Sequence, residues 1–180
     1  FVYPAGALYV PGAEAILPLI AKLNRYAVEN DNPLISTMDA HSEDDAEFRT
    51  WPPHCVVGTQ GQTKWPRTLV GTQVVIPPKA VEVDGVNAQQ IILQKVTVDC
   101  FQNPNFEKIL SALQADRYVV YGVATEVCVG IASRGLLKTG SLVQVVTDAI
   151  RHLTREGRDA MFAEFLQAGG TVTTVAEVCG

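Results

Sequence analysis

The chain has 180 residues, 47% of them hydrophobic and 18% charged, which suits one soluble domain with a full core. Its formal net charge of −5 provides no basic stripe to neutralise phosphates, so nucleic acid is not an expected partner. No apolar run approaches the ~20 residues of a membrane span, and Phe1-Val2-Tyr3-Pro4 has no basic leader, so neither a membrane partner nor a signal peptide is expected. Pro4 to Pro11 reads as a loop punctuated by Gly and Pro. Ile16, Leu19, Ile20, Leu23 and Tyr26 then recur at helical spacing, predicting a helix over Ala13 to Glu29 that Asn30-Asp31-Asn32-Pro33 stops. Pro33 to Met38 is a short strand. Asp39 to Lys64 is polar, rich in Pro and Trp and too irregular for regular structure; a loop that long is more often functional than not. Val74 to Ile76 and Ile91 to Leu93 are short strands, and Asn105 to Leu113 is a helix with Asn103 or Asn105 as its cap. Tyr118 to Val123 is the next strand. Gly130 to Thr139 is a helix closed by Gly140, Ser141 to Val146 a strand, Arg155 to Ala168 a helix, and Val172 to Val175 the last strand.

Alternating strands and helices imply right-handed crossovers and a mostly parallel central sheet covered on both faces, a three-layer α/β/α fold in one domain. In such sheets, sites form at the carboxyl ends of the strands. Met38-Asp39, Leu93-Gln94-Lys95 and the run before Cys128 each bring a polar group to such an end. The four cysteines, Cys55, Cys100, Cys128 and Cys179, form no C-x-x-C pair. That pattern favours reduced thiols in a cytoplasm over a disulfide framework or a cysteine-bound zinc.

Cys128 lies where a buried strand meets a helix, in Gly122-Val123-Ala124-Thr125-Glu126-Val127-Cys128-Val129. Unpaired amides and the dipole at a helix start favour a thiolate, and the same amides are able to hold an oxyanion. The competing account is a packed, inert thiol. Asp39 and His41 are two residues apart, so an extended segment projects both from one face; His54 follows in a stretch stiffened by Pro52 and Pro53. Two imidazoles and a carboxylate suit Zn²⁺, Fe²⁺ or Mn²⁺, with Glu47 between them as a fourth oxygen donor. The alternative is a pair of surface histidines and a turn-capping Asp39. His152 reads as solvated. Lys95 ends an apolar run, so it either snorkels to solvent or pairs with an anion and tunes the cysteine.

Together Phe1 to Leu8, Asp39-Ala40-His41, Trp51-Pro52-Pro53-His54-Cys55-Val56-Val57-Gly58-Thr59, Gln94-Lys95 and Gly122 to Val129 resemble the isochorismatase-like cysteine hydrolases, in particular their nicotinamidase/pyrazinamidase branch. The resemblance runs nearly the whole chain in family order, with nothing distinctive over residues 66–92. It implies Cys128 as nucleophile, Lys95 as its charged partner, and Asp39, His41, His54 and Glu47 as ligands of a divalent metal, zinc foremost. It implies an oxyanion hole from the Ala124 and Cys128 amides behind a cis peptide at Val123-Ala124, with Phe1 and Trp51 around a substrate ring. The implied substrate is a small amide: a heteroaromatic carboxamide such as nicotinamide, hydrolysed to nicotinate and ammonia in NAD salvage. A carbamoyl amide or isochorismate is the alternative. A homo-oligomer is also implied. In the family a catalytic aspartate sits on a first strand, a few residues before the position of Phe1, so the chain is expected to lack that strand and that acid. Three explanations stand open: a longer natural chain, a short chain that binds without turnover, or an acid from a partner chain.

Overall fold

The computed structural model describes residues 1–83 and 87–180. A 3₁₀ turn over Ala13–Ile16 runs directly into α1 (Leu17–Glu29), as the apolar spacing of that segment requires. The strands are β1 (Leu34–Asp39), β2 (Gln73–Ile76), β3 (Gln90–Lys95), β4 (Arg117–Val123), β5 (Leu142–Arg151) and β6 (Thr171–Thr173). Between them lie α2 (Phe106–Leu113), α3 (Gly130–Leu137) and α4 (Arg155–Gln167), and α5 (Val175–Cys179) ends the fold.

All strand pairs are parallel, but they form two three-stranded sheets, β1-β3-β2 and β4-β5-β6, where a single central sheet was expected. Among the described residues, β1 pairs only with β3, and β4 only with β5. The Thr37 carbonyl of β1 instead accepts a hydrogen bond from Lys64 Nζ at 2.9 Å.

One apolar layer nevertheless spans both sheets. Ile76, Ile91 and Leu93 of the first sheet and Val143 and Val145 of the second pack with Phe106, Leu110, Leu136, Met161 and Phe165 from α2, α3 and α4. The next residue of β5, Val146, points the opposite way, into a second cluster with Leu23 of α1 and Val175 of α5. Period-two alternation along β5 therefore feeds two cores, which makes the architecture a three-layer α/β/α sandwich.

Two boundaries differ from the sequence-based expectation. β5 runs on to Arg151, five residues past Val146. The strand expected over Val172 to Val175 stops at Thr173. There Thr174 caps α5: its hydroxyl accepts from the Glu177 amide, and the Glu177 carboxylate accepts from the Thr174 amide. This reciprocal cap satisfies two amides that a strand without a neighbour would leave open.

Candidate active site

β1 and β3 run side by side in a register that sets Asp39 opposite Lys95 at their carboxyl ends. The pairing continues past the strand, since the Ala40 amide donates to the Lys95 carbonyl at 2.9 Å. His41 then forms a parallel bridge with Val56, with its amide on the Cys55 carbonyl at 3.2 Å and its carbonyl accepting from Val57 at 3.0 Å. This splice brings the Pro-stiffened His54 segment against the His41 segment, and the two imidazole centroids lie 4.6 Å apart. One donor atom from each of Asp39, His41 and His54 lies within 4.8 Å of the others, and all three residues are buried. The surface-loop account of these histidines is therefore set aside, while half-buried His152 lies outside the cluster.

The residues fit a cation. His41 is 0% exposed, yet among the described residues neither of its ring nitrogens has a hydrogen-bond partner. Burying an imidazole without partners is costly, so the ring is built for a ligand. Glu47 Oε2 lies 3.4 Å from His41 Nε2 and is itself buried without a hydrogen-bond partner. His54 Nδ1 lies 2.9 Å from the Pro52 carbonyl, which fixes the proton there and leaves Nε2 facing Asp39 Oδ2 at 3.7 Å. The sequence did not single out two neighbours of this cluster. Asp45 Oδ2 sits 3.1 Å from His41 Nδ1, and the Phe48 ring lies against both imidazoles, at 5.3 Å and 5.6 Å. A carboxylate four residues beyond His41 and an aromatic inside the Asp39–Lys64 loop were the available signals.

Lys95 does not snorkel. It is 4% exposed, and its ammonium contacts Asp39 Oδ1, donates to the Thr97 carbonyl at 2.9 Å and reaches Cys128 Sγ at 3.9 Å. Burial opposes its charge, but the Cys128 sulfur and Asp39 outweigh that, and its pKa is raised.

Cys128 lies in a π-helical turn, Thr125–Val129, rather than at the first residue of a helix; α3 begins only at Gly130. Such turns recur at functional sites. The Val123-Ala124 peptide is cis, as the resemblance implies. The Ala124 carbonyl is occupied by the Val127 and Val129 amides. The expected thiolate is not favoured by the protein alone. Burial pushes the Cys128 thiol up; Lys95 and the Ala124 amide pull it down and Asp39 pushes it up again, and the net direction is upward. Two other thiols differ in kind. Burial drives Cys55 to about 11 and Cys100 to about 12, and Cys55 Sγ is tied to the Gly61 carbonyl at 3.4 Å.

Phe1 packs edge-on to His54 at 5.8 Å and lines a cavity of about 170 Å³ with Leu8, His54, Cys55 and Val56. Trp51 is half-buried, its amide on the Glu47 carbonyl at 3.0 Å, and it forms no ring pair with Phe1 or either histidine among the described residues. Phe1 therefore stands against His54, and Trp51 meets the cluster through its backbone bond to Glu47.

Known proteins agree with this architecture. Nicotinamidase of Escherichia coli (strain K12) is 23% identical over 198 residues, covering 96% of this chain and 89% of that protein. Pyrazinamidase of Pyrococcus horikoshii in complex with zinc superposes with a TM-score of 0.78 at 26% identity, covering 96% of this chain and 92% of that one. N-carbamoylsarcosine amidase from Thermoplasma acidophilum shares the fold, with a TM-score of 0.77 at 22% identity over 98% of this chain and 92% of that one. The isochorismatase domain model matches residues 1–177. A parallel α/β/α scaffold whose strand ends gather a buried lysine, a cysteine turn and an Asp-His-His cluster is thus matched along almost its whole length, and the chain belongs to the isochorismatase family of hydrolases.

Proposed function

We propose that the chain is a nicotinamidase-like amidohydrolase acting on a small heteroaromatic carboxamide through Cys128. The observation that carries this is Lys95, whose one ammonium touches both the Asp39 carboxylate and the Cys128 sulfur. The nicotinamidase of E. coli and the zinc-bound pyrazinamidase of P. horikoshii supply the substrate class and the metal. Asp39, His41, His54 and Glu47 would hold zinc or another divalent ion. When bound, the ion supplies a Lewis-acidic anchor for a ring nitrogen or water.

The chain's own groups do the rest. Lys95 stabilises negative charge on Cys128, and the sulfur attacks the carboxamide carbon while the C=O π pair moves onto oxygen. The Ala124 and Cys128 amides, together at the π-turn, hold that oxyanion; losing one such donor typically costs ~3 kcal/mol. Collapse re-forms C=O, breaks C–N and releases ammonia once the nitrogen has gained a proton. Water then cleaves the thioester to the acid and the free thiol. Phe1, edge-on to His54, would contact the ring of a carboxamide held at the metal cluster. The resemblance assigns the proton transfers to an aspartate on a strand preceding Phe1.

The direct test is ammonia release from nicotinamide by the zinc-loaded protein carrying its natural N-terminus. Cys128→Ala should abolish it, and undiminished release by that variant would end the proposal. Pyrazinamide, N-carbamoyl amides and isochorismate in the same assay separate the carboxamide from the family's other substrates. A second reading, a ligand binder without turnover, draws on the raised pKa of Cys128. It predicts binding of nicotinamide with no ammonia and a thiol inert to alkylation at neutral pH.

A further inference from the structure

The metal-site proposal names four ligands, and the chemistry around them draws in one more side chain. We infer that Asp45 is the positioning residue of this site, a single carboxylate that holds the His41 ring with Nε2 toward the metal and fixes the backbone of Glu47. The inference rests on the metal-site proposal and deepens it.

Each Asp45 oxygen has its own task. Oδ1 accepts from the Glu47 amide at 2.9 Å and caps the 3₁₀ turn Ala46–Arg49 that carries Glu47. Oδ2 lies 3.1 Å from His41 Nδ1, off the N–H axis, so the contact is chiefly electrostatic. A neutral imidazole carries one proton, and an anion beside Nδ1 draws the proton there. The Nε2 lone pair is then directed to the side where Glu47 Oε2 stands. His54 has a different holder, the uncharged Pro52 carbonyl. The two imidazoles are thus fixed by unlike groups, and the carboxylate-backed one is the stronger metal base. Phe48, against both rings, leaves His41 little room to turn away. Because Asp45 reaches His41 and Glu47 together, it couples the orientation of two of the four proposed ligands.

Asp45→Asn separates this role from mere capping. It keeps an acceptor for the Glu47 amide and removes the charge beside His41. Zinc affinity measured by competition with a chromophoric chelator should fall by roughly 10–100-fold, with the melting temperature of the zinc-free protein unchanged. Should Asp45→Asn not fold, Asp45→Ser keeps the cap and replaces it in the assay. In the zinc-loaded wild type, ¹⁵N spectra of the three histidines should show His41 with its proton on Nδ1. Zinc bound through His41 Nδ1, or an affinity in the variant within about twofold of wild type, would overturn the role of Asp45 while leaving the metal site standing. A wild-type protein that binds no zinc would remove the metal site and this inference with it.

Discussion

An ammonium wedged between a carboxylate and a sulfur answers to both. At 4% exposed, Lys95 has exchanged water for Asp39, the Thr97 carbonyl and Cys128, and each of these loses if it leaves. Lys95→Met should therefore act twice. Asp39 is left buried without its cation, which costs about 3–5 kcal/mol in unfolding experiments. The Cys128 thiol also loses the charge that pulls its pKa down, so its alkylation by iodoacetamide at fixed pH should slow. An unchanged alkylation rate would show that the sulfur does not depend on this cation. Asp39, His41, His54, Lys95 and Cys128 were legible in the sequence because their chemistry stands out against apolar or proline-stiffened neighbours. Asp45 and Phe48 were not, because their value comes from a 3₁₀ turn that folds the loop back onto His41. The burial that pushes the Cys128 thiol up was not legible for a related reason, since desolvation is a property of packing.

Among the elements, those with strong period were read well. α1 follows the spacing of Ile16, Leu19, Leu23 and Tyr26, and α2 and α3 keep nearly their expected bounds. Where two local signals competed, the apolar run misled. Val172 and Val175 suggested one strand, but Thr174 and Glu177 form a capping box, and the box ends β6. Thr174→Ala should cost ~1 kcal/mol in urea denaturation, the usual worth of such a cap. No measurable loss would mean that α5 is held by Val175 in its cluster rather than by its N-terminus.

At the scale of the whole molecule, metal and fold should be linked. The proposed ligand groups arrive from the end of β1, the 3₁₀ turn and the Pro52-Pro53 segment, so a bound cation would cross-link residues 39–54, a long loop, to the strand that precedes it. Zinc at about 100 times its dissociation constant should add ~2.7 kcal/mol, a rise of roughly 5–10 °C in melting temperature. His54→Ala should erase that rise, and a shift that persists would place zinc elsewhere. The layered architecture was legible from the alternation of elements; the division of its strands was not, since hydrophobic pattern says which face is buried and nothing about which neighbour takes each amide. The register of β1 on β3 has a further consequence. Parallel strands rich in Ile and Leu tolerate sliding, because one greasy neighbour replaces another. Here a slip by a single residue would bring Val96 opposite Asp39 and strand two opposite charges in oil, so the pair that equips the site also proofreads the assembly of the sheet that carries it.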